Sequence, residues 1–344
     1  MTSEDAAVPP VPQPVLTPLT ASAIFLVMTM RPGAEAAVRE VLAEVPALQR
    51  TVGFRVPEGR LAVVASVGSD AFDRLYAGPR PAGLHPFRPV AGDKHHAVAT
   101  PGDLLFHIRA RHMDQCFEVT TLLMDRLRPF VDVVDEVHGF KFFEVRDLLG
   151  FVDGTENPTG PAAEAAVTVG SEDPAFAGAS YVIVQKYIHD LGAWNALDSS
   201  EQERVIGRTK LDNVELAALP PNSHVAVNTL TGPGGTQLQI LRDNMPFGNV
   251  GKGEFGTYYI AYSASPAVTE AMLTRMFVGD PPGNYDRILD FSTALTGSLF
   301  FVPTTGFLEN PPPAPAARAS GPQPAQPPAR SAESLGIGSL RGRS

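Results

Sequence analysis

The sequence GFVDGTENP, at residues 150–158, is the most distinctive stretch of the chain. Two glycines, an asparagine, a proline and two acids follow an apolar segment that ends at Leu149. Glycine permits positive φ and proline fixes φ, so this composition predicts a shaped loop. A loop that leaves an apolar segment is expected to carry Asp153 and Glu156 into or beside a cavity. Such a carboxylate is a candidate acid–base group, because burial shifts its pKa; the alternative is a tight turn with solvated acids.

The composition around this loop is that of an acidic globular protein. The 344 residues are 44% hydrophobic and 19% charged, with a net charge of −10. This charge argues against a nucleic-acid partner. The single cysteine, Cys116, excludes a disulfide framework and fits a reducing cytoplasm. We expect no secretion signal and no membrane span, because the N-terminus lacks a basic segment followed by an apolar one and no apolar run is long enough.

The pattern of apolar residues divides the body into two similar halves. Strands and helices alternate without a regular βαβ rhythm in both, which predicts an α+β fold with antiparallel sheets. We predict an irregular N-terminal arm (1–17), a first half (18–149) and a second half (150–310). Within the second half, strands are expected at 237–242 and 256–263, and a helix at 284–289.

The C-terminal segment has a different composition. Residues 311–330 contain eight prolines in twenty positions, which predicts an extended, disordered linker. Residues 331–344 then become partly apolar again, with Leu335, Ile337 and Leu340 separated by glycine and serine. A short segment with spaced apolar anchors suits docking into a groove on a partner; the alternative is a frayed terminus.

The loop 150–158 resembles the signature loop of the dye-decolorizing peroxidases, a family of haem enzymes. Three further segments match that family in order: GRTK at 207–210, SHVAVN at 223–228 and LRDNMPFG at 241–248. The resemblance covers roughly residues 18–309 and is closest to the compact bacterial branch. It implies two ferredoxin-like halves with antiparallel sheets, with one b-type haem per chain held mainly by the second half.

The haem iron needs an axial ligand, and the chain has eight histidines that chemistry alone does not separate. The resemblance selects His224, which follows the helix-breaking Pro220 and Pro221. An axial histidine usually donates its other N–H to a carboxylate. Asp286 is the candidate, with Asp290 as the alternative.

The peroxide side of the haem requires a group that moves a proton and a group that stabilises developing negative charge. The resemblance places Asp153 above the iron, and Asp153 suits the first role. Arg242 suits the second role, because guanidinium stays charged. Asn244 shares a face with Arg242 in an extended segment and is expected to hold water or orient Asp153. The alternative for Arg242 is a surface salt bridge with Asp243.

Other residues are assigned to the rim of the haem. Arg208 is a candidate partner of a haem propionate, because charge-assisted Arg–carboxylate bonds are strong. Phe247 is expected to pack against the porphyrin, or else to belong to the core. Trp194 is a candidate surface site for oxidising bulky donors, although a structural role is the alternative.

These expectations define a haem peroxidase that reduces hydrogen peroxide and oxidises phenolic or dye-like donors. The alternative is a non-catalytic protein that carries haem or iron. The C-terminal segment resembles the cargo-loading peptide of encapsulins, the bacterial protein shells. The resemblance therefore implies a homo-oligomer, from dimer to hexamer, that is packaged in a cytoplasmic encapsulin shell.

Overall fold

The computed structural model describes residues 10–316. The strands in this range are β1 Ser22–Met30, β2 Ala62–Gly68, β3 Val90–Ala91, β4 His96–Ala97, β5 Leu104–Ala110, β6 Val131–Phe140, β7 Ser180–His189, β8 Leu230–Thr231, β9 Gln237–Leu238, β10 Leu241–Arg242, β11 Met245–Asn249, β12 Glu254–Ser263, β13 Ser292–Ala294 and β14 Ser298–Val302. The α-helices are α1 Glu35–Gly53, α2 Ser69–Leu75, α3 Met113–Leu127, α4 Gly160–Val167, α5 Leu191–Asn195, α6 Ser199–Ile206, α7 His224–Asn228, α8 Pro266–Phe277 and α9 Thr305–Glu309. Short 3-10 turns lie at Pro57–Gly59, Pro174–Phe176, Val250–Lys252 and Arg287–Asp290.

The predicted mixture of helices and antiparallel strands is confirmed. One large sheet runs in the order β10, β12, β7, β14, β2, β5, β1, β6, with β11 added to β12 and β13 to β7. The pairings within it are antiparallel. Strand β14 joins the two halves, because it pairs with β7 on one side and with β2 on the other. The sheet is therefore continuous through both halves of the chain.

Both faces of the sheet are buried against apolar side chains. Helices α1 and α3 cover one face of the first half, and their buried residues join the larger core cluster. A second cluster packs Phe25, Tyr258 and Phe300 on the opposite face. A smaller cluster around Trp194 and Phe151 lies under the loop 150–158. The distinctive loop therefore rests on a core of its own.

Both ends of the described range are attached to the body of the protein. The side-chain amide of Gln13 is buried and bonds the backbone of Ala65 and Pro303. At the other end, the carbonyl of Pro312 accepts from Arg39. Gln13 donates to two backbone carbonyls of the body and accepts from the N–H of Ala65, whereas Pro312 accepts from an arginine. The rest of the linker and the C-terminal peptide lie outside the described residues. Across residues 10–316, no helix is long and apolar enough to cross a membrane.

Candidate active site

A cleft in the second half brings together most of the predicted site residues. Two adjoining cavities, of about 850 and 670 Å³ including space open to solvent, share Asp153, His224 and Arg242 in their walls. The larger cavity is lined entirely by residues from the range 147–292. Its apolar walls are formed by Leu149, Phe151, Ile206, Met276 and Ile288. Apolar walls with several convergent polar groups are typical of a ligand-binding site.

His224 is the first residue of α7. Ser223 precedes the helix in extended conformation, and its side chain accepts from the backbone N–H of Ala226, so the helix begins at a defined point. The Nδ1 atom of His224 lies 2.6 Å from Oδ2 of Asp286. Asp286 is fully buried and also accepts from Asn228 and from the backbone N–H of Ile288. When Nδ1 donates to this carboxylate, Nε2 keeps its lone pair for a metal.

The charge of Asp286 controls the basicity of this imidazole. Burial lowers the pKa of His224, but the charge and hydrogen bond of Asp286 outweigh burial and raise the pKa above its ordinary value. The other candidate, Asp290, accepts from Lys94, His95 and Tyr285 instead. The structure therefore places Asp286, and not Asp290, beside His224. Asp286 precedes the 3-10 turn Arg287–Asp290 rather than lying in the predicted helix 284–289.

Asp153 and Asn244 form a hydrogen-bonded pair on the same cleft. The Oδ1 atom of Asn244 accepts from the backbone N–H of Ile260 at 3.1 Å. This contact fixes the side-chain amide, so Nδ2 points to Asp153 and donates to its Oδ2 at 3.1 Å. Gly154 adds a backbone N–H to the same carboxylate. Of the two predicted roles for Asn244, the structure thus supports orienting Asp153.

The guanidinium group of Arg242 lines the cleft without a protein partner. Its Nε atom is buried, and no acceptor among residues 10–316 lies within hydrogen-bond distance of the side chain. The expected alternative, a salt bridge with Asp243, is wrong, because Asp243 pairs with Arg109 on the other face of the strand. Buried cations are normally paired, so an unpaired guanidinium in a cleft indicates an anionic or polar ligand.

The loop 150–158 is fastened to the strand that carries Arg242. The side-chain amide of Asn157 donates to the carbonyl of Arg242 at 2.6 Å and accepts from its backbone N–H at 2.9 Å. These two bonds satisfy the backbone N–H and carbonyl of Arg242 at the outer edge of β10, whose other side pairs with β12. Val145, whose φ is 66°, accepts from the backbone N–H of Asp153. A β-branched residue rarely adopts this conformation, so the segment before the loop is strained where it holds Asp153.

Arg208 lies on the wall of the smaller cavity. Its guanidinium donates to Glu156 at 2.9 Å and to the side chain and carbonyl of Asn213. Arg208 therefore already ties the loop 150–158 to residue 213. An arginine has five N–H donors, and these contacts leave one hydrogen on Nη1 and one on Nη2 for a further acceptor.

Phe247 and Trp194 both have the core role that was the alternative for each of them. Phe247 is 5% exposed and packs in the core cluster with Phe25 and Tyr258, away from the cleft. Side chains alternate along a strand, so Phe247 shares the face of Asp243 and not that of Arg242. Trp194 is completely buried, and its indole N–H donates to the carbonyl of Leu149. Trp194 is therefore a core residue and not a surface oxidation site.

Three further polar residues, which the sequence did not assign to the cleft, lie in its walls. Burial raises the pKa of Asp147 to about 7, and its carboxylate accepts from the backbone N–H of Phe151. Burial lowers the pKa of His189 to about 4; its two ring nitrogens bond Ser292 and Thr257. Burial likewise raises the pKa of Tyr259 to about 12. The apolar run before the loop was the only local signal for Asp147.

An apolar cleft with one basic imidazole, one unpaired guanidinium and an oriented carboxylate is a site for a redox prosthetic group and a small polar oxidant. The donor set fits a haem, since the imidazole offers a single metal ligand and the walls are largely apolar. The residues of the cleft therefore fit an enzyme that works through such a group.

Comparisons with known proteins identify the family. The N-terminal domain profile of Dyp-type peroxidases matches residues 12–141, and the C-terminal domain profile matches residues 144–307. The chain therefore belongs to the Dyp-type peroxidase family. A dye-decolorizing peroxidase from Rhodococcus erythropolis is 62% identical over 337 residues, which covers 97% of this chain and 98% of the relative.

Two solved structures extend the similarity to the fold. The encapsulated DyP-type peroxidase from Mycobacterium smegmatis has a TM-score of 0.88 and 60% identity, covering 89% of this chain and 100% of that one. A variant of DypB from Rhodococcus jostii RHA1, in complex with haem, has a TM-score of 0.85 and 54% identity, covering 87% of this chain and 98% of that one. These relatives do not support the alternative of a non-catalytic haem carrier.

Proposed function

We propose that this chain binds one b-type haem in the cleft through His224 and reduces hydrogen peroxide with electrons from phenolic or dye-like donors. The observation that carries the proposal is the meeting, in one cleft, of the His224–Asp286 pair with the unpaired Arg242 and the Asp153–Asn244 pair. The haem complex of a DypB variant, which is 54% identical, supports the choice of cofactor.

His224 would supply the nitrogen ligand that holds the haem, and Asp286 would make that nitrogen more basic. The carboxylate holds the proton of Nδ1, so Nε2 is the donor atom for the metal, and the imidazole acquires part of the character of imidazolate. When bound, the haem supplies an iron centre at which peroxide is reduced and oxidising equivalents are held. Arg208 contributes at the rim, where its two remaining N–H hydrogens suit a carboxylate of the haem.

Asp153 and Arg242 have different roles in the reaction with peroxide. Asp153 would accept the proton of one peroxide oxygen and return it to the other oxygen, which leaves as water when the O–O bond breaks. Its carboxylate keeps one orientation during this transfer, because Asn244 and the N–H of Gly154 hold it. Arg242 stabilises the negative charge that grows on the leaving oxygen. Its guanidinium has no competing protein acceptor among the described residues, so its donors are available to peroxide.

This division is tested by the rate of reaction with peroxide, followed by stopped-flow absorbance of the haem-loaded protein. Arg242→Leu should slow the reaction by about 100-fold or more, as the loss of a charge-stabilising donor does. Asp153→Asn should slow it less, because Asn244 and water remain. The matched control is Arg126→Leu, which removes an exposed arginine that pairs with Glu44 outside the cleft and should react like wild type. If Arg242→Leu and Asp153→Asn both react like wild type, the assignment of this pair is wrong.

We further propose that the chain is cargo of an encapsulin shell in the cytoplasm and is held there by residues 331–344. The solved relative from Mycobacterium smegmatis, 60% identical, is an encapsulated DyP-type peroxidase. Because Pro312 and Pro313 bond the body, residues 314–330 would let the enzyme stand away from its attachment point by up to roughly 50 Å, at about 3.1 Å per residue. The tail from Pro311 carries four arginines and one glutamate, so its charge of +3 opposes that of the acidic body.

Co-expression with the encapsulin of the same organism tests this attachment. Truncation after Arg330 should leave peroxidase activity and haem content unchanged but abolish co-purification with the shell. Replacing Leu335, Ile337 and Leu340 together by serine should have the same effect, whereas deleting residues 318–327 should not, because the anchors remain. Equal co-purification of the truncated and full-length chains would reject the attachment. Light scattering of the purified protein tests the proposed dimer to hexamer.

A further inference from the structure

A buried ion pair lies directly behind the residues that face the cleft. Asp243 separates Arg242 from Asn244, and because side chains alternate along an extended segment, it points to the opposite side. There it is 3% exposed and accepts from Nη1 of Arg109, which is fully buried. Arg109 lies on β5, in the first half of the chain. The pair therefore connects the first half with the segment that carries the proposed peroxide site.

Arg109 also holds the N-terminal segment in place. Its Nη2 atom donates to the carbonyls of Pro14 and Val15, each at 2.8 Å, and to that of Thr17 at 3.3 Å. This fork orients the guanidinium, so that Nη1 faces Asp243. A lysine at this position would keep the charge but could not make the same set of bonds.

Arg109 is the cation that compensates Asp243. The neighbouring His107 bonds Tyr262 through Nδ1, and burial lowers the pKa of His107 far below its ordinary value, so it stays neutral. Burial raises the pKa of Asp243, and Arg109 opposes this by favouring the charged form. Oδ1 of Asp243 has no partner among residues 10–316. Without Arg109, Asp243 would be a buried charge with no compensation, which is strongly unfavourable.

The backbone around Asp243 depends on such anchors, because its strand pairing is short. Strand β10 has two residues in register with β12, and pairing resumes only at Met245. Between them, the backbone N–H of Asp243 donates to Ile260 at 3.1 Å. Side-chain bonds therefore help to fix the backbone of this segment. Asn157 accepts from the backbone N–H of Arg242, and Asn244 accepts from the backbone N–H of Ile260.

We propose that Arg109 is a positioning residue for the peroxide reaction. By holding Asp243 on the far side of the segment, it keeps Arg242 and Asn244 directed into the cleft. This inference rests on the roles proposed above for Arg242 and Asn244. It also gives the N-terminal segment a part in the site, because the carbonyls of Pro14 and Val15 orient the arginine.

The test compares Asp243→Asn in two backgrounds of the haem-loaded protein. This substitution keeps the size of the side chain and removes its charge. In the otherwise wild-type chain, it should slow the reaction with peroxide at least tenfold. In Arg242→Leu, it should slow the reaction by a smaller factor than in the otherwise wild-type chain, because the part of the effect that acts through Arg242 is gone and only the part that acts through Asn244 remains.

A second readout does not depend on activity. Hydrogen exchange of the backbone amides at 241–245 should be at least tenfold faster in Asp243→Asn than in wild type. The matched control is Asp103→Asn, because Asp103 is a carboxylate near Arg74 and Met30 that lies away from the cleft. This control should leave both the exchange at 241–245 and the peroxide rate within twofold of wild type.

The outcomes separate the two levels of the proposal. If Arg242→Leu itself reacts like wild type, the proposed role of Arg242 fails, and the inference fails with it. Two results would overturn only the inference, provided that Arg242→Leu is slow. In the first, Asp243→Asn changes neither the peroxide rate nor the hydrogen exchange. In the second, Asp243→Asn slows both backgrounds by the same factor. Should Asp243→Asn not fold, Arg109→Lys is measured in the same two backgrounds, with the same expected non-additivity and the same overturning results.

Discussion

The contact between His224 and Asp286 provides the sharpest quantitative prediction. Asp286→Asn keeps the size of the side chain and the acceptor for the backbone N–H of Ile288. It replaces the oxygen that faces His224 and Asn228 with an amide N–H₂. This new donor would then lie 2.6 Å from Nδ1 of His224 and 3.2 Å from Nδ2 of Asn228, which are donors themselves. The imidazole must then lose this bond or move its proton to Nε2, the atom needed by the metal.

The expected cost follows from the bond that is lost. A hydrogen bond to a charged group contributes about 1.5–3 kcal/mol, which corresponds to roughly 10- to 100-fold in an equilibrium constant. Loss of a carboxylate partner of a metal-binding histidine has an effect of the same size. We therefore expect the Kd for haem, measured by titrating the haem-free protein and following Soret absorbance, to rise by about 10- to 100-fold.

The control for this prediction is Asp290→Asn. Asp290 lies in the same turn but bonds Lys94, His95 and Tyr285 instead of His224. This variant should bind haem within about twofold of wild type, because it leaves the bonds of Asp286 intact. A Kd for Asp286→Asn equal to that of wild type, or an equal loss in both variants, would refute the assignment of Asp286.

Three further predictions follow from particular contacts. Burial raises the pKa of Asp147 to about 7 in the folded protein, above its pKa in the unfolded chain. The protonated carboxyl therefore contributes to the stability of the haem-free fold at low pH, and this contribution is lost as the pH rises through 7. Between pH 5 and pH 8, wild type should therefore lose about 2 kcal/mol more unfolding free energy than Asp147→Asn, measured by urea unfolding; equal losses would contradict the burial argument. Trp194→Phe should lower stability by about 1–3 kcal/mol, because the carbonyl of Leu149 loses its donor. The ratio of bulky-dye to small-phenol oxidation should stay that of wild type, and a selective loss of dye oxidation would show that Trp194 relays electrons. Asn157→Ala should slow the peroxide reaction at least tenfold and leave the Soret absorbance unchanged, because it removes both side-chain bonds to the backbone of Arg242. A wild-type rate in this variant would show that Asn157 is not needed to align the loop with the strand.

Local sequence patterns predicted the classes of elements better than their connections. The antiparallel α+β fold follows from apolar periodicity in each segment. The joining of both halves through β14 does not, because a strand of five buried residues carries no mark of which neighbours it will pair with. The helix expected at 284–289 failed because Asp286 bonds the backbone N–H of Ile288 and favours a turn over a continuous helix.

The site was predictable where a residue's role depends on its own chemistry. Arg242, Asn244 and Asp153 meet as expected, because period-two alternation places the first two on one face. The same alternation, carried on to Phe247, assigns that residue to the opposite face, where the structure has it. Asp147 and Asn157 were missed because their roles come from burial and from a bond to a distant strand. Neither property is visible in the neighbouring residues.

The most direct test of the central claim is the absorption spectrum of His224→Ala beside that of wild type. The claim is that one haem per chain is held through His224. Wild type should show a Soret band corresponding to one haem per chain, and the variant should lose that band or shift it strongly. An unchanged spectrum in His224→Ala would assign the ligand to another histidine and contradict the account.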